Sequence, residues 1–330
     1  MSNYIMNSYM KNERETERKD EPMPLLKMTS DFVFKAVLGQ DTPRSQAALK
    51  ALLTLLLQRE DDPIESVKCE NPLIAADYKG GKATILDLKV RLSSGLIIDL
   101  EMQVNHLKNY INRTLFYMGK LIISSLEGGE NYVKMKPTMV ISIVDGVLFP
   151  DSPEIYSRYT LHEQKEHTQL TDMTQIHFLE LGKVDIEKPV GEMSRYERLA
   201  VFLKYGDDET KQELIEELLR YETEVLPLMR GMLEEISGDK QMRYLEEEHQ
   251  EYVRMMNTMK YEGREEGIAI GLSKGESIGL SKGESIGLNK GIDRMNELTK
   301  QMLKAGRLDD LAKAVEDSEY RERLFEEFEL

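Results

Sequence analysis

The stretch from Ile85 to Val104, ILDLKVRLSSGLIIDLEMQV, permits few folds. Two arms of alternating apolar and polar residues flank Ser93-Ser94-Gly95, which is the pattern of a β-hairpin. On the first arm Leu86, Leu88, Val90 and Leu92 share one face, and Asp87, Lys89 and Arg91 share the other. On the second arm Leu96, Ile98, Leu100 and Met102 are apolar, while Asp99, Glu101 and Gln103 point the opposite way. Pairing Leu92 with Leu96 places Leu88 opposite Leu100 and Asp87 opposite Glu101. A one-residue slip would set Asp87 against Met102 and mix the faces, so parity fixes the register.

That register brings two carboxylates onto adjacent strands with Cβ atoms roughly 5 Å apart. Like charges in that position are destabilising unless a proton or a cation lies between them. A divalent, oxygen-liganded ion such as Mg²⁺ (or Mn²⁺) would relieve the repulsion, and Gln103 adds a neutral amide beside Glu101. The alternative is a solvated outer face whose acids are offset by Lys89 and Arg91.

Asp87 followed by Glu101-Met102-Gln103 resembles the D…(D/E)-x-K core of the PD-(D/E)xK nucleases, in an E-x-Q variant. Three further stretches occur in matching order: Thr29-Ser30-Asp31-Phe32-Val33-Phe34-Lys35, Arg113-x-x-x-Tyr117, and Lys136-Pro137-Thr138 before an apolar strand. Together they are similar to the bacterial nuclease-family transposases, also described as recombination-promoting nucleases, over about residues 27–190. The resemblance implies an α/β, restriction-endonuclease-like core with a mixed central β-sheet flanked by helices, followed by a C-terminal helical extension. It also implies Mg²⁺-dependent hydrolysis of DNA, with Asp87 and Glu101 as metal ligands and Gln103 as a third catalytic group. Arg113 and Tyr117 then become contacts to the substrate phosphate. Gln103 departs from the lysine of the wider superfamily, which leaves the proton of an attacking water to a metal hydroxide or to the substrate phosphate. A non-enzymatic assembly module that keeps the fold is the other reading.

Charge and composition bound the rest. A net charge of −16 is unusual for a protein that meets DNA, but residues 27–190 carry 19 basic against 22 acidic side chains. The excess lies outside the proposed catalytic unit, yet no basic stripe is visible, so tight sequence-independent duplex binding is not expected. A single cysteine, Cys69, excludes an internal disulfide framework and fits a reducing cytoplasm. Residues 1–26 read as a charged, disordered tail without the apolar core of a signal peptide, and no stretch reaches transmembrane length, so a membrane role is not expected.

Asp31 to Leu38 reads as a helix start with Asp31 at or near its N-cap. Asp31 either serves that cap or, as the resemblance implies, reaches the site as an upstream acid; Glu70 is a weaker alternative. Ser45 to Gln58 is an apolar core helix. From Asn105 to Leu126 the period turns helical, with Leu107, Ile111, Leu115, Met118 and Ile122 as an inward stripe and Arg113, Tyr117 and Lys120 on another face. Arg113 there either holds a phosphate or covers apolar surface with its stem. Thr138 to Val144 reads as a buried central strand, and Ile176 to Leu181 as a further strand at an edge.

Residues 191–262 form an acidic helical segment opened by the capping box Ser194-x-x-Glu197. Residues 263–292 carry glycine at every fourth position, with GLSKGESI twice in succession, and 293–330 resume as acidic helix. Eight interior glycines cost a lone helix about 8 kcal/mol. The array is therefore either a helix that forms on self-association, making a homo-oligomer through the C-terminal helices, or a flexible spacer.

Overall fold

The computed structural model describes residues 23–59, 64–70, 73–74, 84–85, 87–104, 108–127 and 129–330. The tail through residue 22, Asn71-Pro72, Gly80-Gly81, Leu86 and Leu107 lie outside the described residues. The chain divides into two compact units, Met1–Gln250 and Glu251–Leu330.

In the first unit, α1 (Asp31–Leu38) and α2 (Pro43–Leu56) precede the sheet. Ser30 rather than Asp31 occupies the N-cap position of α1, and Asp31 lies in the first turn, where a carboxylate complements the helix dipole. Thr42 caps α2 by accepting from Ser45 N, with Pro43 pre-set for the first helical turn. The strands are β1 (Val67–Glu70), β2 (Leu73–Ile74), β3 (Thr84–Ile85), β4 (Leu88–Leu92), β5 (Ile97–Val104), β6 (Thr138–Asp145), β7 (Tyr156–Thr160) and β8 (Thr174–Glu180). Six of them form one sheet in the order β1-β4-β5-β6-β8-β7, while β2 and β3 pair separately. The β5–β6 and β6–β8 neighbours are parallel and the other pairs of this sheet antiparallel, so the sheet is mixed as expected.

The β4–β5 hairpin has the register that parity dictates, with Leu88 opposite Leu100 and Val90 opposite Ile98. Leu92 N donates to Leu96 O at 2.9 Å, and Gly95 takes φ 89° in the turn, a left-handed conformation that glycine reaches without a Cβ clash. β8 is not the edge: the short polar strand β7, which has little hydrophobic alternation, covers it.

One sheet face carries Val90, Leu92, Ile98, Leu100, Ile141, Ile143 and Leu179 into the main core. Val33, Phe34 and Val37 of α1 and Leu49, Leu52 and Leu53 of α2 pack in the same cluster. So do the helices after Pro189: α4 (Arg195–Tyr205), α5 (Gln212–Tyr221) and α6 (Val225–Gly238) contribute Phe202, Leu218, Met229 and Ile236. The Ser194–Glu197 capping box is formed at the start of α4.

The opposite face is covered by α3 (Tyr110–Ser124), the crossover between parallel strands β5 and β6. Its inward side is Tyr110, Thr114, Met118, Lys120 and Leu121, whereas Ile111 and Leu115 of the expected stripe are exposed. Apolar spacing alone mis-sets the phase, because the helix is keyed by packing of Tyr110 on Val144 and Phe178 and of Leu121 on Ile97.

α7 (Lys240–Lys304) begins in the first unit and runs on into the second. The glycine array is therefore helical, with open space around each of its glycines and with Ile268, Leu272, Ile278, Leu280, Ile286 and Leu288 exposed. The second unit closes on a small cluster of Leu298, Met302, Ala314, Leu324 and Phe325, joining the end of α7 to α8 (Leu308–Glu316) and α9 (Ser318–Glu327). Gly306, at φ 71°, makes the break before α8.

Candidate active site

Hairpin and crossover helix build the site together. Asp87 stands immediately before β4, and its backbone N–H donates to Glu101 Oε1 at 2.9 Å. Asp87 Oδ2 in turn accepts from Met102 N at 3.0 Å. The two expected acids thus sit side by side, each tied to the other's strand by a side-chain to main-chain bond. Glu101, only 2 % exposed, also receives Arg113 at 3.2 Å. Arg113 further donates to Gln103 Oε1 at 3.0 Å and to Tyr117 Oη at 2.9 Å, and its guanidinium lies over the Tyr117 ring. Gln103 donates to Val104 O at 3.2 Å. Asp87, Glu101, Gln103, Arg113 and Tyr117 therefore form one connected group at the carboxyl end of β5, where open α/β sheets place ligands.

Asp99 belongs to the same face, two residues before Glu101, and spacing alone did not single it out. It is 0 % exposed, and among the described residues neither carboxylate oxygen has a hydrogen-bond donor. The face is thus not solvated: β6 and α3 bury it, while Lys89 and Arg91 turn to Glu70 instead of to these acids. Burial, then the neighbouring Glu101 charge, raise the Asp99 carboxyl well above the usual range. Burial and the Asp87 charge push Glu101 up to about 7, against the pull of Arg113.

These shifts have a stability consequence. Because the folded pKa of Glu101 lies above 4.5, its value when unfolded, the native state binds the extra proton between pH 4.5 and about 7. The metal-free protein should therefore lose stability as pH rises through that window, by about 3 kcal/mol from Glu101. Thermal melts across pH 4.5 to 7.5 check this, and Glu101→Gln should flatten the slope; a wild-type melting point that rises with pH contradicts the assignment.

A further charged side chain enters from α1. Lys35 Nζ is 2.8 Å from Asp87 Oδ1, and Asp31, one turn earlier, lies 3.6 Å from the same ammonium. Burial works against the ammonium, but Asp87 and Asp31 hold its pKa above the ordinary lysine value. Asp31 itself is bound by His249 at 2.7 Å, with Phe32 stacked on that ring, and does not touch Asp87 or Glu101 through any hydrogen bond. Ser30 likewise donates to Glu246 at 3.0 Å, so the first turns of α7 brace the start of α1. Glu70, the other upstream acid considered, is committed to Arg91 and Lys89.

The donor set suits a hard divalent cation: carboxylate oxygens held by repulsion in a partly dry pocket, with an amide oxygen nearby. Among the described residues no three acidic, histidine or cysteine side chains converge on one ion. Mg²⁺ commonly takes one or two protein carboxylates and completes its shell with water and phosphate oxygens, which fits the Asp87–Glu101 pair. Among the described residues no helix is long and apolar enough to cross a membrane.

A mixed six-stranded sheet with acids at the end of its central hairpin, flanked by helices, has the architecture of a PD-(D/E)XK nuclease. The chain belongs to that group: the family described as PD-(D/E)XK nuclease family transposase matches residues 28–262. No curated protein and no solved structure matches it.

Proposed function

We propose that this protein is a metal-dependent endonuclease that hydrolyses DNA phosphodiester bonds, as a transposase or recombination-promoting nuclease does. The observation that carries the reading is the cross-strand pairing of Asp87 with the buried Glu101, to which Arg113 is bound. Asp87 and Glu101 would hold Mg²⁺ or Mn²⁺. When bound, such an ion polarises a phosphate oxygen and acidifies a coordinated water.

The remaining residues divide the work. Gln103 orients the attacking water through its amide, and its carbonyl is kept in place by Arg113. Arg113 offers a planar fork of donors to a phosphate, and Tyr117 fixes the direction of that fork. Asp31 is the acid further upstream, acting on the site through Lys35 rather than on the metal. The exposed Ile and Leu side chains along the glycine array would be buried in a homo-oligomer of C-terminal helices. One free, half-buried cysteine suits work in the cytoplasm.

Supercoiled plasmid incubated with Mg²⁺, Mn²⁺ or EDTA tests the reading, with a structured RNA in parallel. Nicking of plasmid with either metal and none with EDTA supports it. Cleavage of the RNA alone would replace DNA as the substrate, and intact nucleic acid in every lane would contradict the reading.

Gln103 offers a finer test. A neutral amide directs water but carries no charge, so Gln103→Ala should lower the rate about tenfold while Gln103→Lys should keep or raise it. Equal rates for all three proteins would remove Gln103 from the mechanism.

A further inference from the structure

Gln103 stands where the wider superfamily carries lysine, and α1 delivers an ammonium to the same acids. Burial of Val33, Phe34, Val37 and Leu38 fixes the rotation of α1 and leaves Asp31 and Lys35, i and i+4, on one side. The end of α1 is pressed against the start of β4: a Cβ on Gly39 would lie 2.6 Å from Leu88 Cδ2 and 2.8 Å from Lys35 O. Only glycine allows that approach, and it carries Lys35 to Asp87, the residue before Leu88. Of the other cations nearby, Lys89 is committed to Glu70 at 3.3 Å, and Arg113 gives three of its five N–H donors to Glu101, Gln103 and Tyr117. Lys35 keeps 36 % of its side chain exposed, and its ammonium has three donors, of which Asp87 takes one.

We propose that Lys35 is a catalytic residue of this site, supplying from α1 the ammonium that Gln103 cannot supply from β5. The inference rests on the nuclease reading. Hydrolysis joins a water oxygen to phosphorus and breaks the bond from phosphorus to the sugar oxygen. The water passes its proton to the substrate phosphate and so to solvent, and the departing sugar oxygen takes one up from solvent. Lys35 transfers no proton in this scheme. It contacts a non-bridging phosphate oxygen and holds the negative charge that grows there, a role worth more in a partly dry site than in water. Asp31, fastened by His249, keeps the lysine aimed along the edge of the acid pair.

The test compares wild type, Lys35→Gln, and the double variant Lys35→Gln with Gln103→Lys. Plasmid nicking gives kcat, calorimetry gives Mn²⁺ affinity, and melting curves establish that each protein is folded. Lys35→Gln should lower kcat about a hundred-fold, as loss of one charge-stabilising donor does. Its Mn²⁺ affinity should stay the same or rise, because a cation competing for Asp87 has gone. Moving the lysine back to the strand in the double variant should restore at least tenfold of the rate. Wild-type kcat in Lys35→Gln would overturn the inference. So would a fall in Mn²⁺ affinity that parallels the rate, or a double variant no faster than the single one, since either makes Lys35 a brace for Asp87. A wild-type protein that cuts nothing in any metal would instead overturn the nuclease reading, and this inference with it.

Discussion

Asp87→Ala and Glu101→Ala are each expected to abolish metal-dependent nicking in a protein that still folds. Each acid holds one side of the proposed metal site, and neither can be replaced from nearby: Asp99 is fully buried and Asp31 is held by His249. Losing about 4 kcal/mol of charge stabilisation corresponds to about a thousand-fold in rate, enough to bring nicking to background. The fold should tolerate the change because the pair is not a stabilising one. Glu101 is pushed up to about 7 by burial and by Asp87, so each alanine removes a repulsion along with one of the two cross-strand hydrogen bonds. Melting points of the metal-free variants should lie within a few degrees of wild type. A variant that cuts as fast as wild type would show that the site lies elsewhere.

Truncation after Glu262 is expected to convert an oligomer into a monomer whose nuclease unit stays folded. The first compact unit ends at Gln250, and its core runs through α6 to Ile236, so the cut spares it. It also spares Glu246 and His249, which brace α1. The segment removed carries glycines that cost the helix about 1 kcal/mol each. Ile268, Leu272, Ile278, Leu280, Ile286 and Leu288 stand exposed along it, and burial against a second copy would return up to ~2 kcal/mol per side chain, enough to offset the glycines. Paired active sites would let the full chain cut both strands, so the truncated protein should nick plasmid without linearising it. Sedimentation of both proteins, with nicked and linear products resolved on a gel, reads both effects. A full-length protein that sediments as a monomer would remove the assembly role from the array.

The hairpin was legible because a period of two allows a single register once one face is apolar, and Leu88 does oppose Leu100. The capping box at Ser194 also followed from local pattern, whereas the mixed sheet was expected from the family resemblance. Three features did not, each for a tertiary reason. Alternation gives the side to which Asp99 points but not what covers it, and only the crossover to β6 places α3 over that face. The phase of α3 follows Tyr110, Thr114 and Leu121, because contacts to the sheet and to Glu101 outweigh a more apolar stripe through Ile111 and Leu115. Lys35 reaches Asp87 from far back in the chain, and its one local signal was the i, i+4 spacing from Asp31. Strand β7, YSRYT, is short and polar, and it exists because β8 offers it an edge.

Calorimetric titration with Mn²⁺ of wild type, Asp87→Ala and Glu101→Ala, at pH 7.5 and without nucleic acid, tests the central claim most directly. Two adjacent carboxylates that repel each other, one of them buried, predict saturable binding by the wild type. Binding should be lost in either variant. Mn²⁺ binding that persists unchanged when either acid is removed would contradict the account.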